Sequence, residues 1–504
     1  MKLILGIELG STRIKSVLCD EKGKVFASGS HDWENEFIDG HWTYSMSAVK
    51  EGLQNSYKKL TVDYGKPLIN LDAIGISAMM HGYLAFDEEW NLLAPFRTWR
   101  DTTTSQASEI LTEKLQFNMP QRWSATHYYQ AVLNKEKDVE KVAHLQTLSG
   151  YVHYLLTGKN VLGADDASGM FPLDGKEFDK ERVKKYNELV SVDIQSLLPK
   201  VMLAGENAGT LTENGAKYLD PTGTLKAGAI LCPPEGDMGT GMICTNAISP
   251  ATGQVSSGTS ANLTIVLEKP LKNYYKEIDI VATPDGHPAA LIHTNNCTTE
   301  INEWVNLFAE VAELCGAKVD KGDLFTKLFN KSSESDESVG KLTGYNFLAG
   351  EPLASTIKGA PLIVRACDGK LNLANFMQMQ IYSAIASLSL GMDMLEKESV
   401  RLERVTAHGG FYKTDFIGQN ATSAVLNAPV TVMQNAGEGG AWGIALLAGY
   451  ALTNGVSLQE YLDNIFKDTE KKTVMTDEHE KIKCKAFLKK YKNNLSVEQL
   501  ASKV

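Results

Sequence analysis

The chain has 504 residues, 43% of them hydrophobic and 22% charged, with a formal net charge of −11; this is the composition of a globular protein long enough for two or three domains. No block of Lys or Arg interrupts the acidic balance, which argues against nucleic acid or an anionic membrane surface as a partner. Seven cysteines, odd in number and without a CxxC pair, suggest neither a disulfide framework nor a zinc site.

The first twenty residues read as a hairpin: an apolar run at 3–9, a tight polar turn Gly10-Ser11-Thr12, and a second run at 14–19. Glu8, Arg13 and Lys15 break this stretch, leaving no signal-peptide core, and the longest apolar run elsewhere, 441–452, is too short to span a bilayer. A cytoplasmic protein is expected. A third strand follows Gly23 at 25–27, then a helix at about 47–60. Residues 71–80 (L-D-A-I-G-I-S-A-M-M) read as a buried strand that places His81 at its carboxyl end, where open α/β sheets bind ligands. Trp99-Arg100-Asp101 sits similarly after a further hairpin, and a tryptophan beside a charged pair suits a sugar: the ring covers C–H surface while the charges take hydroxyls. Helical patterns follow near 104–115, 149–156, 180–189 and 212–219.

Residues 228–241 lie just before the midpoint. A short apolar segment at 229–232 runs through two prolines into the glycine-flanked Asp237. Pro and Gly mark a turn after a strand, and a backbone among glycines can approach a ligand closely. The second half then repeats the first: 253–268 is again strand, small polar turn, strand, and placing Gly258-Thr259-Ser260 on Gly10-Ser11-Thr12 gives an offset of 248. Such a period points to two related domains, with a boundary near 241–250 and Asp237 at the mouth of an interdomain cleft. Further on are helices at 305–315 and 371–390 and a solvated acidic loop at 332–338. A strand ends in His408-Gly409-Gly410, another covers 429–433, a helix opens at 437–443, and a Lys-rich exposed helix lies beyond 468.

Two Gly-Ser/Thr hairpin turns at corresponding places suit a pair of phosphate clamps, because turn N–H groups make a small anion-binding concavity and hydroxyls add donors without bulk. No Gly-Lys in the chain is followed by Ser or Thr, so there is no P-loop. A dinucleotide fingerprint nearly forms at 437–443, but its third glycine falls one place late.

Taken together, these stretches resemble the FGGY family of carbohydrate kinases over essentially the whole chain, nearest to its xylulokinase-like members. The resemblance is carried by G-I-E-L-G-S-T-R-I-K from Gly6, S-A-M-M-H-G from Ser77, Trp99-Arg100-Asp101, the Leu-Thr-Gly of 156–158 and D-D-A-S-G from Asp165. Gly236-Asp237, the turn from Ser257, His408-Gly409-Gly410 and 438–448 continue it. It implies an α/β fold of two actin/Hsp70-like (ribonuclease H-like) domains. A sugar-binding domain would span 1–244 and a nucleotide-binding domain 245–504, with ATP and sugar in the cleft and closure excluding water. It further implies Asp237 as general base, Met80, His81, Arg100 and Asp101 with Asp237 on the sugar, and Glu8 with Asp237 holding Mg²⁺. Ser11, Thr12, Lys15, Gly258 and Thr259 would face the phosphates, and Gly409, Gly410 and Asp415 the adenosine. The implied reaction is ATP-dependent phosphorylation of a ketopentose such as xylulose, in a chain that is reasonably a homodimer. Alternatives are a kinase for another ketose, polyol or sugar acid (L-ribulose, L-xylulose, gluconate), and a non-enzymatic nucleotide-dependent clamp. Three positions depart from the family pattern: Glu8 replaces an aspartate, Met79 stands where xylulokinases often have glutamine, and the helix signature within 371–388 is worn.

Overall fold

In a computed structural model, which describes residues 1–433 and 439–504, the strand Ile4–Leu9 is almost wholly buried. Such burial is what a strand covered on both faces requires. It pairs antiparallel with Arg13–Cys19 and parallel with Ala73–Ala78. Val25–Asp32 lies beyond Arg13–Cys19, and the short strands Ile230–Leu231 and Glu235–Gly236 both pair with Ala73–Ala78. One face carries the helix Met46–Tyr64, capped by the Ser45 side chain and ended by Gly65 at φ 68°. Its Val49, Leu53, Tyr57 and Leu60 recur at helical spacing and are buried, the three aliphatic ones each contributing about 1.5–3 kcal/mol of transfer free energy.

The other face is covered by a helix from far along the chain. Gly439–Tyr450 is apolar all round and buried from Gly440 to Gly449, as a helix without a polar face must be. Gly6 and Gly75 are direct partners in neighbouring strands. A Cβ on Gly6 would overlap the Ala441 carbonyl oxygen, and one on Gly75 would press on Ile444. Two facing glycines therefore let the helix backbone settle onto the sheet.

These elements belong to a unit comprising Met1–Ile248, Asp279–Ala289 and Asn435–Asp468. A second unit holds Ser249–Ile278, Ala290–Gln434 and Thr469–Val504. Its sheet repeats the pattern of the first: Thr252–Ser257 pairs antiparallel with Ala261–Val266 and parallel with Arg404–His408. Val430–Met433 follows in parallel, and Lys471–Val474 closes that edge antiparallel. The two hairpins start their strands at 4 and 13 and at 252 and 261, so the 248-residue offset read from the turns is also the offset of the strands.

Several expected elements change in detail. The helix expected over 371–390 is divided at Ser387 into Leu373–Ala386 and Leu388–Lys397, where the Ser387 hydroxyl meets the Tyr491 hydroxyl at 3.0 Å. The Lys-rich tail is not merely exposed: Glu478–Asn493 buries Cys484, Phe487, Leu488 and Tyr491. In the acidic loop, Asp336 accepts from Ser338, Gly340 and Asn375. Burial opposes ionisation there, and these donors outweigh it, bringing the carboxyl down to about 2. Ser124–Asn134 is a helix the sequence pattern did not mark. Gly437 and Glu438, named above for a near-fingerprint and a helix start, lie outside the described residues.

Candidate active site

Asp237 is the first residue of the helix Asp237–Cys244 rather than part of an open turn. Its Oδ1 accepts from the Met80 N–H at 3.1 Å, so the base candidate and the end of the Ala73–Ala78 strand are joined directly. Burial raises its pKa, while N–H groups of Met80, Asp237 itself and Met238 oppose the rise. A carboxylate whose pKa is raised in this way is a stronger proton acceptor than an exposed one.

His81 follows Met80 with φ 69°, a left-handed conformation that costs about 1–3 kcal/mol in a non-glycine residue and persists only where surroundings impose it. Two contacts impose it here: the ring Nδ1 lies 3.2 Å from the Gly169 carbonyl, and the His81 N–H donates to Asp166. Burial and the nearby Arg122 charge hold its pKa well below the usual value. The imidazole is therefore neutral, a donor–acceptor rather than a cation.

Arg100 and Asp101 diverge. The Arg100 guanidinium lies 3.9 Å from the centroid of the Trp42 ring and donates to Asn35. Asp101 turns inward to His41 Nδ1 at 2.5 Å and to the Thr103 N–H and hydroxyl. Burial alone would raise its pKa, and these donors together with His127 bring it below the usual carboxylate range.

In the first hairpin turn, Tyr44 donates to the Ser11 carbonyl at 2.5 Å, Trp99 to the Ser11 hydroxyl at 3.0 Å and Trp33 to the Gly10 carbonyl at 2.7 Å. Thr12 is exposed at the tip, as Thr259 is at the tip of the second hairpin. Glu8 and Lys15 face each other across the strands. The Glu8 carboxyl is pushed up to about 7, first by burial and second by the Asp237 charge; the Lys15 charge and the Ala441 and Gly440 N–H groups act the other way. Ala441 N donates to Glu8 Oε2 at 3.2 Å. Glu8 and Asp237 thus lie close enough for the Asp237 charge to disfavour that of Glu8. No group of three or more His, Cys, Asp or Glu side chains that could hold a metal occurs among the described residues. Two carboxylates fit an ion whose other ligands are phosphate oxygens and water, as Mg²⁺ prefers.

In the second unit, Gly258 N donates to the Ser260 carbonyl at 2.9 Å, closing its turn, and the Gly258 carbonyl accepts from Thr298. Gly409, at φ 111°, passes so close to Ser257 that a Cβ would overlap its carbonyl, while Gly410 has open space beside it. Asp415 is an exposed partner of Lys472, at 2.9 Å.

Several residues received no site role from the sequence, although Asp165 and Asp166 fall in a stretch that carries the family resemblance. Asp165, Asp166 and Glu235 are fully buried carboxyls beside Asp237 and His81. Asp166 accepts from Thr147 at 2.7 Å and from Ser149. Trp123 stacks with His81 at 6.4 Å, and Arg122, paired with Asp279, supplies the charge that His81 feels. Their signal was faint: acids beside glycines at 163, 169 and 236, and one aromatic before a helix.

Two units that repeat one strand order, each with a polar hairpin turn beside its central parallel strands, define an actin/Hsp70-like fold of the ribonuclease H-like type. The chain belongs to the FGGY family of carbohydrate kinases: residues 3–225 match the family's N-terminal domain and 253–452 its C-terminal domain. It is therefore a sugar kinase with ATP as co-substrate. It is 24% identical over 484 residues to a xylulose kinase of Haemophilus influenzae, covering 92% of this chain and 93% of that one. Among solved structures, a xylulose kinase from Rhodospirillum rubrum superimposes with a TM-score of 0.82 at 12% identity over 100% of both chains. A gluconate kinase from Lactobacillus acidophilus does so with 0.81 at 19% identity, over 99% of this chain and 98% of that one. At these identities the structures share the fold. No helix among the described residues is long and apolar enough to cross a membrane.

Proposed function

We propose that the chain transfers the γ-phosphoryl group of ATP to a hydroxyl of a ketopentose such as xylulose, with Asp237 as general base. The observation that carries this reading is the buried Asp237 carboxylate at a helix start, tied to the strand end that presents His81. Asp237 takes the hydroxyl proton as that oxygen bonds to the γ-phosphorus. The bond to the bridging oxygen breaks, ADP leaves, and the proton passes from Asp237 to water. Such transfer depends on positioning and charge stabilisation more than on covalent chemistry. Met80, His81, Arg100 and Asp101 are assigned to the sugar. Ser11, Thr12, Lys15, Gly258 and Thr259 are assigned to the phosphates, and Gly409, Gly410 and Asp415 to the adenosine. Arg100 and Asp101 must exchange or share their present partners to serve. Glu8, with Asp237, would hold Mg²⁺, which when bound neutralises charge on the phosphate oxygens.

A second reading, another ketose, polyol or sugar acid such as L-ribulose, L-xylulose or gluconate, is favoured by Met79, whose side chain belongs to the apolar core and offers no amide to a sugar. Free cysteines, five of them buried, support a reducing, cytoplasmic compartment. The homodimer implied by the family resemblance is a question for sedimentation.

A panel of ketoses, polyols and aldonates incubated with ATP and read by ADP release separates the substrates. ATP turnover that no acceptor stimulates overturns the kinase reading. Asp237→Asn is expected to lower phosphorylation at least ~1000-fold, within the range general bases contribute, while calorimetry shows nucleotide binding largely intact. Retention of most turnover removes Asp237 from the role.

A further inference from the structure

The helix Asp237–Cys244 begins without a side-chain cap, because its N-cap is Gly236. The helix Ala164–Ser168 likewise begins on Gly163 without one. Each cap is supplied by the other segment. Asp165 Oδ2 accepts from the Gly239 N–H at 2.9 Å, and the Gly236 N–H also donates to Asp165. Glu235 Oε2 accepts from the Asp165 and Asp166 N–H groups at 3.1 and 3.4 Å. The Gly163 N–H donates to the Pro234 carbonyl at 2.8 Å, closing the same joint.

Glycine is required at the contacts. A Cβ on Gly239 would stand 2.6 Å from the Asp165 carboxyl, one on Gly236 2.8 Å from its Oδ2, and one on Gly163 would overlap the Glu235 carboxyl. Three of these glycines thus make room for two carboxyls. The Asp165 donors bracket Asp237, one residue before it and two after. We propose that Asp165 is a positioning residue for the Asp237 base, holding the backbone on both sides of it through a reciprocal cap that Glu235 completes.

Neither acid needs to touch substrate. The effect passes through the backbone, where a misplacement near 1 Å lowers the rate about 100-fold. Asp166 is separate: it holds the His81 N–H and the Thr147 and Ser149 hydroxyls, so the paired DD of the sequence serves two different anchors.

The proposal rests on Asp237 acting as base in a kinase, and the test keeps the two apart. Asp165→Ala, Asp165→Asn, Gly239→Ala and the double variant Asp165→Ala/Gly239→Ala are assayed by ADP release with D-xylulose, L-ribulose and gluconate as acceptors. Asp165→Ala is expected to lower kcat about 100-fold, the scale of a misplaced reacting group, with KM for ATP changed less than twofold. Asp165→Asn keeps an oxygen for the N–H groups and is expected to restore kcat to within about fivefold, since the acceptor and its geometry survive. Gly239→Ala should match Asp165→Ala, and the double variant should be no worse than either, as coupled neighbours are non-additive.

Independent additive losses, an Asp165→Asn as damaged as Asp165→Ala, or a KM for ATP that rises in step with the fall in kcat each overturn the proposal. If the unaltered protein phosphorylates no acceptor, the kinase reading fails instead. The positioning claim is then decided by hydrogen–deuterium exchange of the peptide over 235–242. Faster exchange in Asp165→Ala that Asp165→Asn reverses supports it, and unchanged exchange overturns it. Should Asp165→Ala fail to fold, the comparison of Asp165→Asn with Gly239→Ala decides on the same readings.

Discussion

Asp237 stands at the first position of a helix, where unpaired N–H groups favour a negative charge against the burial that disfavours it. Glu351, in the second unit, shows the same opposition with a large rise. Its Oε2 accepts from the Asn295 N–H at 3.1 Å and from Asn296 Nδ2 at 3.2 Å, while Oε1 is buried without a partner. Burial therefore pushes the carboxyl up to about 7. The folded chain keeps this proton to about pH 7, whereas the unfolded chain releases it at ordinary carboxylate values. Between those limits unfolding releases a proton, so stability falls as pH rises through the window, and the full penalty is present above it. Glu351→Gln removes the charge while keeping the shape. It is expected to raise stability by about 1–3 kcal/mol at pH 8, less than the full shift implies because real sites relax, and to change little at pH 4. Thermal melts of both proteins across that range check it: equal differences at pH 4 and pH 8 would remove Glu351 as the source.

At the scale of the element, the contact that matters most is a helix lying on glycines. Gly439–Tyr450 has no polar face, and its backbone comes within overlap distance of any side chain at Gly6. Gly6→Ala inserts one methyl against the Ala441 carbonyl and the Ala445 backbone and Cβ, where only the helix itself can yield. Overpacking of this kind costs about 1–3 kcal/mol, so the melting temperature should fall by several degrees. The displaced helix also carries the N–H group that holds Glu8, so activity should drop beyond the loss expected from stability alone. A melt unchanged from that of the unaltered protein would show that the helix sits farther from the strand. By contrast, the helix Met46–Tyr64 was legible from its apolar spacing. Ser124–Asn134 was not, because it is buried all round from Ser124 to Ala131, with polar and aromatic residues such as Thr126, His127, Tyr128, Tyr129 and Gln130 and no apolar stripe to mark it.

Across the whole molecule, chain order and packing order differ. The first unit takes its opening segment from Met1–Ile248 and its covering helix from Asn435–Asp468. A fragment ending at Ile248 would expose the sheet face that Gly439–Tyr450 covers, an apolar area well beyond what a soluble monomer normally presents. Such a fragment is expected to aggregate or remain partly folded. A version with 435–468 joined through a flexible linker is expected to give a cooperative melt. Equal behaviour of the two fragments by circular dichroism and light scattering would count against the covering role.

The amino-acid sequence by itself determined the repeat, the two hairpin turns, the strand ending at His81, the acid at 237 and the family. These depend on local patterns: apolar alternation, turn residues, and the spacing of short motifs along the chain. Only the tertiary structure decided that Asp237 opens a helix, that Asp165 and Glu235 cap each other's segments, that Arg100 and Asp101 face different partners, and that a helix from beyond residue 434 completes the first unit. The reason is physical. Each of these rests on burial or on a hydrogen bond between residues 60 or more positions apart, or on a turn of one side chain away from its neighbour. Local propensity carries no trace of either, and the glycines that make room for such contacts look in sequence like the glycines of any loop.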